Sequence, residues 1–398
     1  MSRFPQKRTT HYGRATSYGR QTTNSRRPKK AYIHPSKFVK AAQPREEAEQ
    51  YVPQYSFADF SAHPLILSNI AAMGFTTPSP IQDKTIPAGL EGRDVVGIAN
   101  TGTGKTAAFA VPLLHRLLTE PHSKAIILAP TRELAQQIED QCRQIAKGSG
   151  LSGALLIGGV PIGPQLKSLA HNPRIIIGTP GRVKDHMERR SLKLSNCNII
   201  VLDEVDRMLD MGFVNDIRHI LGATMPQKQS LYFSATLDER VRAIIEGFSN
   251  NPVQISIKSG ETSANVDQNV ISYISNSDKM DKLHDVLIKQ AAIKAIVFDD
   301  SQRSVDRLAK ELVARGFSTD AIHGGKSQSQ RQRVLNKFRN NEISILVATD
   351  VAARGLDVAD ITHVINYTTP QSYSDYVHRI GRTGRADKVG YALTFVEG

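Results

Sequence analysis

From Val95 onward, short β-branched apolar runs alternate with segments of helical spacing. The runs Asp94–Ala99, Ala125–Ala129, Arg174–Ile177, Asn198–Leu202 and Ser230–Phe233 predict strands. Strands interleaved with helices in this way imply a parallel sheet covered by helices on both faces. A polar stretch, Lys258-Ser-Gly-Glu-Thr-Ser-Ala-Asn265, interrupts the pattern and reads as a linker. The alternation then restarts, with strands expected at Ala295–Phe298, Thr319–His323, Ile343–Thr349 and His363–Tyr367. Up to about Pro53 there is no apolar periodicity, only Arg, Lys, Ser, Thr, Gly and Gln in quantity, so that stretch is expected to be disordered. The pattern divides the chain into a tail over 1–53, an α/β domain over 54–258, a linker over 259–265 and a second α/β domain over 266–398. No obvious residue-level repeat relates the two domains.

Composition changes this picture mainly through charge. Residues 1–45 hold 12 Lys or Arg and no Asp or Glu, which leaves about +1 of the net +13 for everything that follows. The folded part must therefore bind any polyanion through local geometry, not through a broad positive field. The longest apolar runs, Ala125–Ala129 and Ile199–Leu202, are far too short to span a bilayer, and the first thirty residues lack the apolar core of a secretory signal. Neither a membrane partner nor export is expected. Cys142 and Cys197 are the only cysteines and show no CxxC spacing, which excludes a disulfide framework and a zinc cluster and suits buried thiols in a reducing cytosol.

The first candidate chemistry is Ala99-Asn100-Thr101-Gly102-Thr103-Gly104-Lys105-Thr106, which follows an expected strand and opens a helix. Gly102 and Gly104 let backbone N–H groups wrap phosphates at a helix N-terminus. Lys105 would reach the β- and γ-phosphates of a nucleoside triphosphate, and Thr106 would ligate Mg2+. The general motif begins with Gly where this chain has Ala99. At the tip of the run Ile199-Ile-Val-Leu-Asp203-Glu204, Asp203 would hold the magnesium and Glu204 would take the proton of the attacking water.

Further segments follow in order: Gly74-Phe-Thr-Thr-Pro-Ser-Pro-Ile-Gln82 with Phe57 upstream, Pro130-Thr131-Arg132-Glu-Leu-Ala135, Gly158-Gly159, Thr179-Pro180-Gly-Arg182, Asp203-Glu-Val-Asp206, Ser234-Ala-Thr236, His323-Gly324 with Gln328 and Arg331, Thr349-Asp-Val-Ala-Ala-Arg-Gly-Leu-Asp357, and His378-Arg-Ile-Gly-Arg382-Thr-Gly-Arg385. This order resembles the DEAD-box helicase family from Phe57 to Val396. The resemblance implies two tandem RecA-like domains, with Phe57 on the face of adenine, Gln82 on its edge and Asp357 on the ribose. It also implies that Arg382 and Arg385 complete the ATP site from the second domain. Pro130, Thr131, Arg132, Gly158, Gly159, Thr179, Pro180, Arg182, Arg331 and Thr349 would meet the RNA backbone. Asp206, Ser234, Thr236 and His378 would couple the nucleotide site to strand separation. The chain departs from the family at Val205, where Ala is usual, and at Thr368, which replaces an acid. It also stops soon after its last expected strand, which suggests a missing final helix or a shortened protein.

The expected activity is RNA-stimulated ATP hydrolysis that opens RNA duplexes, with closure of the two domains assembling the site in a monomer. Contacts to phosphate and sugar would leave the core indifferent to sequence. Two other readings stay open, an ATP-gated RNA clamp and a DNA helicase of the same superfamily. Tyr12-Gly13-Arg14 and Tyr18-Gly19-Arg20 interleave aromatics with arginines, which favours RNA binding by the tail over a merely solvating role. A mitochondrial transit peptide is the lesser reading of the same composition.

Overall fold

The structure, a computed structural model, describes Met1 and residues 33–42, 51–100, 102–257, 265–289, 294–353, 358, 360–384 and 388–398. Most of the tail and of the linker, and the candidates Thr101, Asp357 and Arg385, lie outside the described residues.

Seven strands form the first sheet: β1 Val95–Ile98, β2 Ala125–Leu128, β3 Gly153–Leu156, β4 Ile175–Gly178, β5 Ile199–Asp203, β6 Gln229–Ser234 and β7 Val253–Ser256. They lie in the order β3-β4-β2-β5-β6-β1-β7, and every pair is parallel. A second sheet holds β8 Val266–Tyr273, β9 Ala295–Phe298, β10 Thr319–Ile322, β11 Ile345–Ala348, β12 His363–Asn366 and β13 Gly390–Glu397, ordered β10-β11-β9-β12-β13-β8 and again parallel. The expected pair of RecA-like α/β domains, here called the first and second lobes, is what the chain forms.

Strand periodicity sorts the apolar residues between the two faces of each sheet. Ile127, Val201 and Leu231 pack on one face of the first sheet with Phe109 and Ile138, while Ile126, Ile200 and Tyr232 pack on the other with Val183 and Met208. Ile296, Leu346 and Val364 share a face of the second sheet with Phe338 and Tyr376, and Val297, Ile345 and Ile365 face Leu283 and Leu308.

Four strands lack the signal that marked the others. β3 and β7 are the edges of the first sheet and β8 an edge of the second, and all three keep exposed positions, so no continuous apolar run announces them. β13 lies between β12 and β8 but begins with the mixed sequence Gly-Tyr-Ala.

The expectation of disorder up to Pro53 is corrected at residues 33–42 and at Tyr51, whose hydroxyl donates to Asp83. Pro35–Phe38 form a 3-10 turn, Phe38 is fully buried with the core of the second lobe, and Lys40 bridges Gln268 of β8. Average composition over fifty residues cannot reveal a single aromatic anchor or the backbone bridge beside it.

Among the described residues no helix is long and apolar enough to cross a membrane. Cys142 and Cys197 are both buried and unpaired, and burial pushes each thiol up to about 12.

Candidate active site

Sheet order assembles the site. β5, β6 and β1 are neighbours, so the segments after each of them, distant in sequence, meet at one end of the sheet, where open α/β sheets bind ligands. Between β1 and the helix Lys105–Thr119, Gly102 and Gly104 take left-handed φ values of 80° and 91°, which only glycine adopts without strain. The loop is tied down from outside. Ser79 Oγ donates to the Thr103 carbonyl at 2.7 Å and Gln82 Nε2 to the Gly104 carbonyl at 3.0 Å. Gln82 Oε1 meanwhile accepts from the Ser79 N–H at 2.8 Å, so both ends of the amide assigned to adenine are engaged. Lys105 is buried, and its ammonium donates to the Ala99 carbonyl at 3.1 Å. Phe57 is buried against Phe60 and Phe75.

At the end of β5, Asp203 and Glu204 are both buried, and Glu204 holds a left-handed φ of 53°, a strain of roughly 1–3 kcal/mol for a residue with a side chain. Burial pushes the Asp203 carboxyl up to about 6 against the pull of Lys105. Burial acts on Glu204 in the same direction, but Arg207, Lys105 and Arg382 overcome it and hold Glu204 at about 2. Arg207, absent from the expectations, is the nearest of these cations, with Nη1 donating to Glu204 Oε2 at 2.6 Å. Its Nε and Nη2 have no partner among the described residues, and an anion in the cleft would satisfy them. Asp206 Oδ2 accepts from the Ala235 N–H at 3.1 Å, the Thr236 N–H at 2.9 Å and Thr236 Oγ1 at 3.1 Å, while Ser234 Oγ accepts from the Asp206 N–H at 3.2 Å. Three of the expected coupling residues thus form one closed network.

The second lobe supplies the far wall. Arg207 from the first lobe lines a narrow cleft with Asp350, His378, Arg379 and Arg382. The helix Tyr373–Ile380 carries His378, whose ring is pushed below its ordinary value by burial and then by Arg207, against Asp206 and Glu204. Arg379 anchors this wall: its Nε and Nη2 donate to Asp350 at 2.6 Å each, and Nη1 reaches Asn366 Oδ1 at 3.1 Å. Thr368, the departure noted above, turns inward instead, with Oγ1 on Asp299 and its carbonyl on Arg379.

The expected RNA contacts of the first lobe gather at the ends of β2, β3 and β4, which are also neighbours. Thr131 Oγ1 caps the helix Arg132–Ile145, and Pro180 opens the helix Pro180–Glu188 behind Thr179. The Arg132 guanidinium lies over Gly158 and Gly159 so closely that a Cβ on Gly159 would fall 1.9 Å from Nη1. Arg182 Nη1 donates to the Val160 carbonyl at 3.4 Å. In the second lobe, Thr349 caps the helix Asp350–Ala353 through its carbonyl. Arg331 sits differently: it is buried where the lobes meet, ion-paired with Glu133 at 2.8 Å, and Gln328 Nε2 donates to the same carboxylate at 3.1 Å. Glu133 lies inside the quoted run Pro130–Ala135, yet nothing in its spacing showed that its partner would be Arg331.

Comparison with known proteins gives the same outline. Residues 79–244 match the family model described as DEAD/DEAH box helicase, and residues 278–387 match the helicase conserved C-terminal domain. The chain is 45% identical over 342 residues to the ATP-dependent RNA helicase CshA of Listeria monocytogenes, which covers 86% of this chain and 66% of that protein. It therefore spans about two thirds of that relative's length. Two solved structures share the fold. Dbp5 of S. cerevisiae bound to RNA and ADP BeF3 has a TM-score of 0.77 at 31% identity, with 86% of this chain and 90% of that one covered. Mss116p bound to ssRNA and AMP-PNP has a TM-score of 0.79 at 30% identity, with 86% and 75% covered.

Proposed function

This chain belongs to the DEAD/DEAH box helicase family, and from that premise we propose that it is an ATP-dependent RNA helicase. It hydrolyses ATP when RNA bridges its two lobes, and their closing separates an RNA duplex locally or strips protein from RNA. The observation that carries the reading is a cluster of ionisable groups, buried except for the half-buried His378, that neither lobe completes alone. Lys105, Asp203, Glu204 and Arg207 come from the first lobe, and His378 and Arg382 from the second.

In this reading the loop Ala99–Thr106 wraps the phosphates, Lys105 exchanges the Ala99 carbonyl for a phosphate oxygen, and Arg382, with Arg385, neutralises charge on the transferring group. Asp357 would meet the ribose, and Phe57 and Gln82 the adenine. Because Gln82 already grips the Gly104 carbonyl, adenine must share that amide with the phosphate loop, which links base identity to loop geometry. Asp203 and Thr106 would hold Mg2+. One buried carboxylate and one hydroxyl are hard oxygen donors of the kind that ion accepts beside waters and substrate phosphates. When bound, the ion supplies charge neutralisation at the phosphates. Glu204 takes the proton of the attacking water, and Arg207 must loosen its grip for it to do so.

Pro130, Thr131, Arg132, Gly158, Gly159, Thr179, Pro180 and Arg182 would line one strand of RNA, with Thr349 opposite. Arg331, through Glu133, ties that surface to lobe closure. Both halves of the site come from one chain, so we take the working unit to be a monomer, and the buried thiols suit the cytoplasm. The test compares ATPase stimulation by single-stranded RNA and DNA, followed by multiple-turnover unwinding of an RNA duplex. Equal stimulation by DNA would sink the RNA assignment, and tight ATP-dependent RNA binding without strand separation would favour the clamp.

A further inference from the structure

The N-terminal segment touches both lobes at separate places. On the second lobe, Lys40 and Gln268 exchange backbone hydrogen bonds of 3.0 and 2.8 Å, extending the free edge of β8 by one antiparallel bridge. Beside that bridge Phe38 is fully buried, its ring centroid 4.7 Å from that of Tyr376, and the Tyr376 hydroxyl donates to Gln268 Oε1 at 2.9 Å. The Lys37 ammonium lies 5.7 Å from the centre of the Tyr373 ring. On the first lobe the anchor is Asp83, itself buried, which follows Gln82 in the helix Pro80–Leu90. Its carboxylate accepts from the N–H groups of Gln54 and Tyr55, each at 3.0 Å, and from the Tyr51 hydroxyl at 2.5 Å.

We propose that the β8 edge and the helix Tyr373–Ile380 form a docking surface whose occupant is residues 33–42 of the same chain. Docking there makes the N-terminal segment a second tether between the lobes. Covalent length sets its reach. Nine peptide units separate Ala42 from Tyr51 and extend to no more than about 32 Å. The connection from Ile257 to Asn265 has eight units and a reach of about 29 Å. With one connection the lobes can swing and twist freely about it, whereas with two of similar length they are confined to a narrower range of openings. Confinement raises the effective concentration of one lobe at the other. RNA and nucleotide then select the closed state from a smaller ensemble. A helicase core trimmed to begin at Phe57 would lack this restraint while keeping every group assigned to the chemistry.

The test uses the full chain with dyes on Glu91→Cys and Lys310→Cys, exposed positions on opposite lobes, since both natural thiols are buried. Twenty Gly and Ser residues inserted between Pro44 and Arg45 leave both anchors intact and lengthen only the tether. Without ATP or RNA, the single-molecule energy-transfer distribution should broaden toward longer distances. With RNA and AMP-PNP it should return to the closed distance of the parent. The half-saturating RNA concentration for ATPase should rise about 3- to 10-fold at an unchanged saturating rate. Phe38→Asp should reproduce the broadening, and if that variant unfolds the second lobe, the insertion still decides. A distance distribution and half-saturation indistinguishable from the parent after insertion would overturn the proposal. Only the ATPase arm rests on the helicase reading: a parent that RNA fails to stimulate would sink that reading, while the distance arm would still test the tether.

Discussion

In the first lobe, the groups nearest the chemistry are held by bonds made inside that lobe. Lys105 is on the Ala99 carbonyl, Glu204 on Arg207, and Asp206 on Ala235 and Thr236. In the second lobe Arg379 is held in the same way by Asp350 and Asn366, but His378 takes its electrostatic surroundings from Arg207, Asp206 and Glu204 across the cleft. Arg382 in turn acts on Glu204. A lobe that satisfies its own charges can bind nucleotide while the other is away. A lobe whose charges answer to its neighbour matters only on closure. Binding and turnover should therefore separate by mutation along the line between the lobes.

The largest separation is expected from Arg382→Ala, which should lower the RNA-stimulated rate by about 10³- to 10⁵-fold. The affinity of the first lobe for a fluorescent ATP analogue should stay within about threefold, since hydrogen bonds made in that lobe are untouched. A parallel collapse of that affinity would break the comparison.

Next, Glu204→Gln should lower turnover by about 10²- to 10⁴-fold, the usual worth of a general base, and retain ATP-dependent RNA binding. Lys105→Ala should lose both, because it removes a phosphate contact. Anisotropy of labelled RNA with and without ATP reads the difference, and equal loss in the two variants would contradict the roles given to them.

Glu133→Ala probes closure alone. It strands the buried guanidinium of Arg331 at the interface, and removing one partner of a buried pair costs about 3–5 kcal/mol. The half-saturating RNA concentration should rise about 100-fold or more, with most of the saturating rate recovered at high RNA. An unchanged half-saturation would mean that the pair does not form in the working closed state.

Acid should distinguish the lobes by stability. His363 on β12 is buried, and burial holds its ring down at about 4. The unfolded chain takes up a proton near pH 6.5 and the folded one does not until about pH 4. The stability that neutral His363 contributes is therefore complete above pH 6.5 and lost as pH falls through that window. Between pH 7 and pH 5 the loss is about 2 kcal/mol. Hydrogen exchange on β12 and its neighbours should accelerate accordingly, and His363→Gln should flatten the dependence.

The smallest effect on the reaction is expected from deleting residues 2–32. These residues hold the Tyr-Gly-Arg segments but not the Phe38 anchor, so the saturating rate should not change. The slope of log affinity against log salt should fall by about 0.7 for each phosphate the tail neutralises. An unchanged slope would leave the tail without an RNA role.

Much of the molecule could be read before folding. The strand, turn and helix around Ala99–Thr106 and the acid pair ending β5 are local objects, because glycine tolerance, strand periodicity and helix capping act within a few residues. Central strands such as β2 and β5 are covered on both faces and must be apolar throughout, which is why composition alone marks them. Which side chains pair across the fold is a different matter. Glu133 meets Arg331, Gln82 spends its amide on Gly104, and Phe38 settles against Tyr376 because sheets and lobes bring those surfaces together. A charge written in the sequence does not carry its surroundings with it. Whether it faces water and RNA or is buried against a partner depends on desolvation and on the counter-charge that the other surface presents, and those exist only once the tertiary structure has formed.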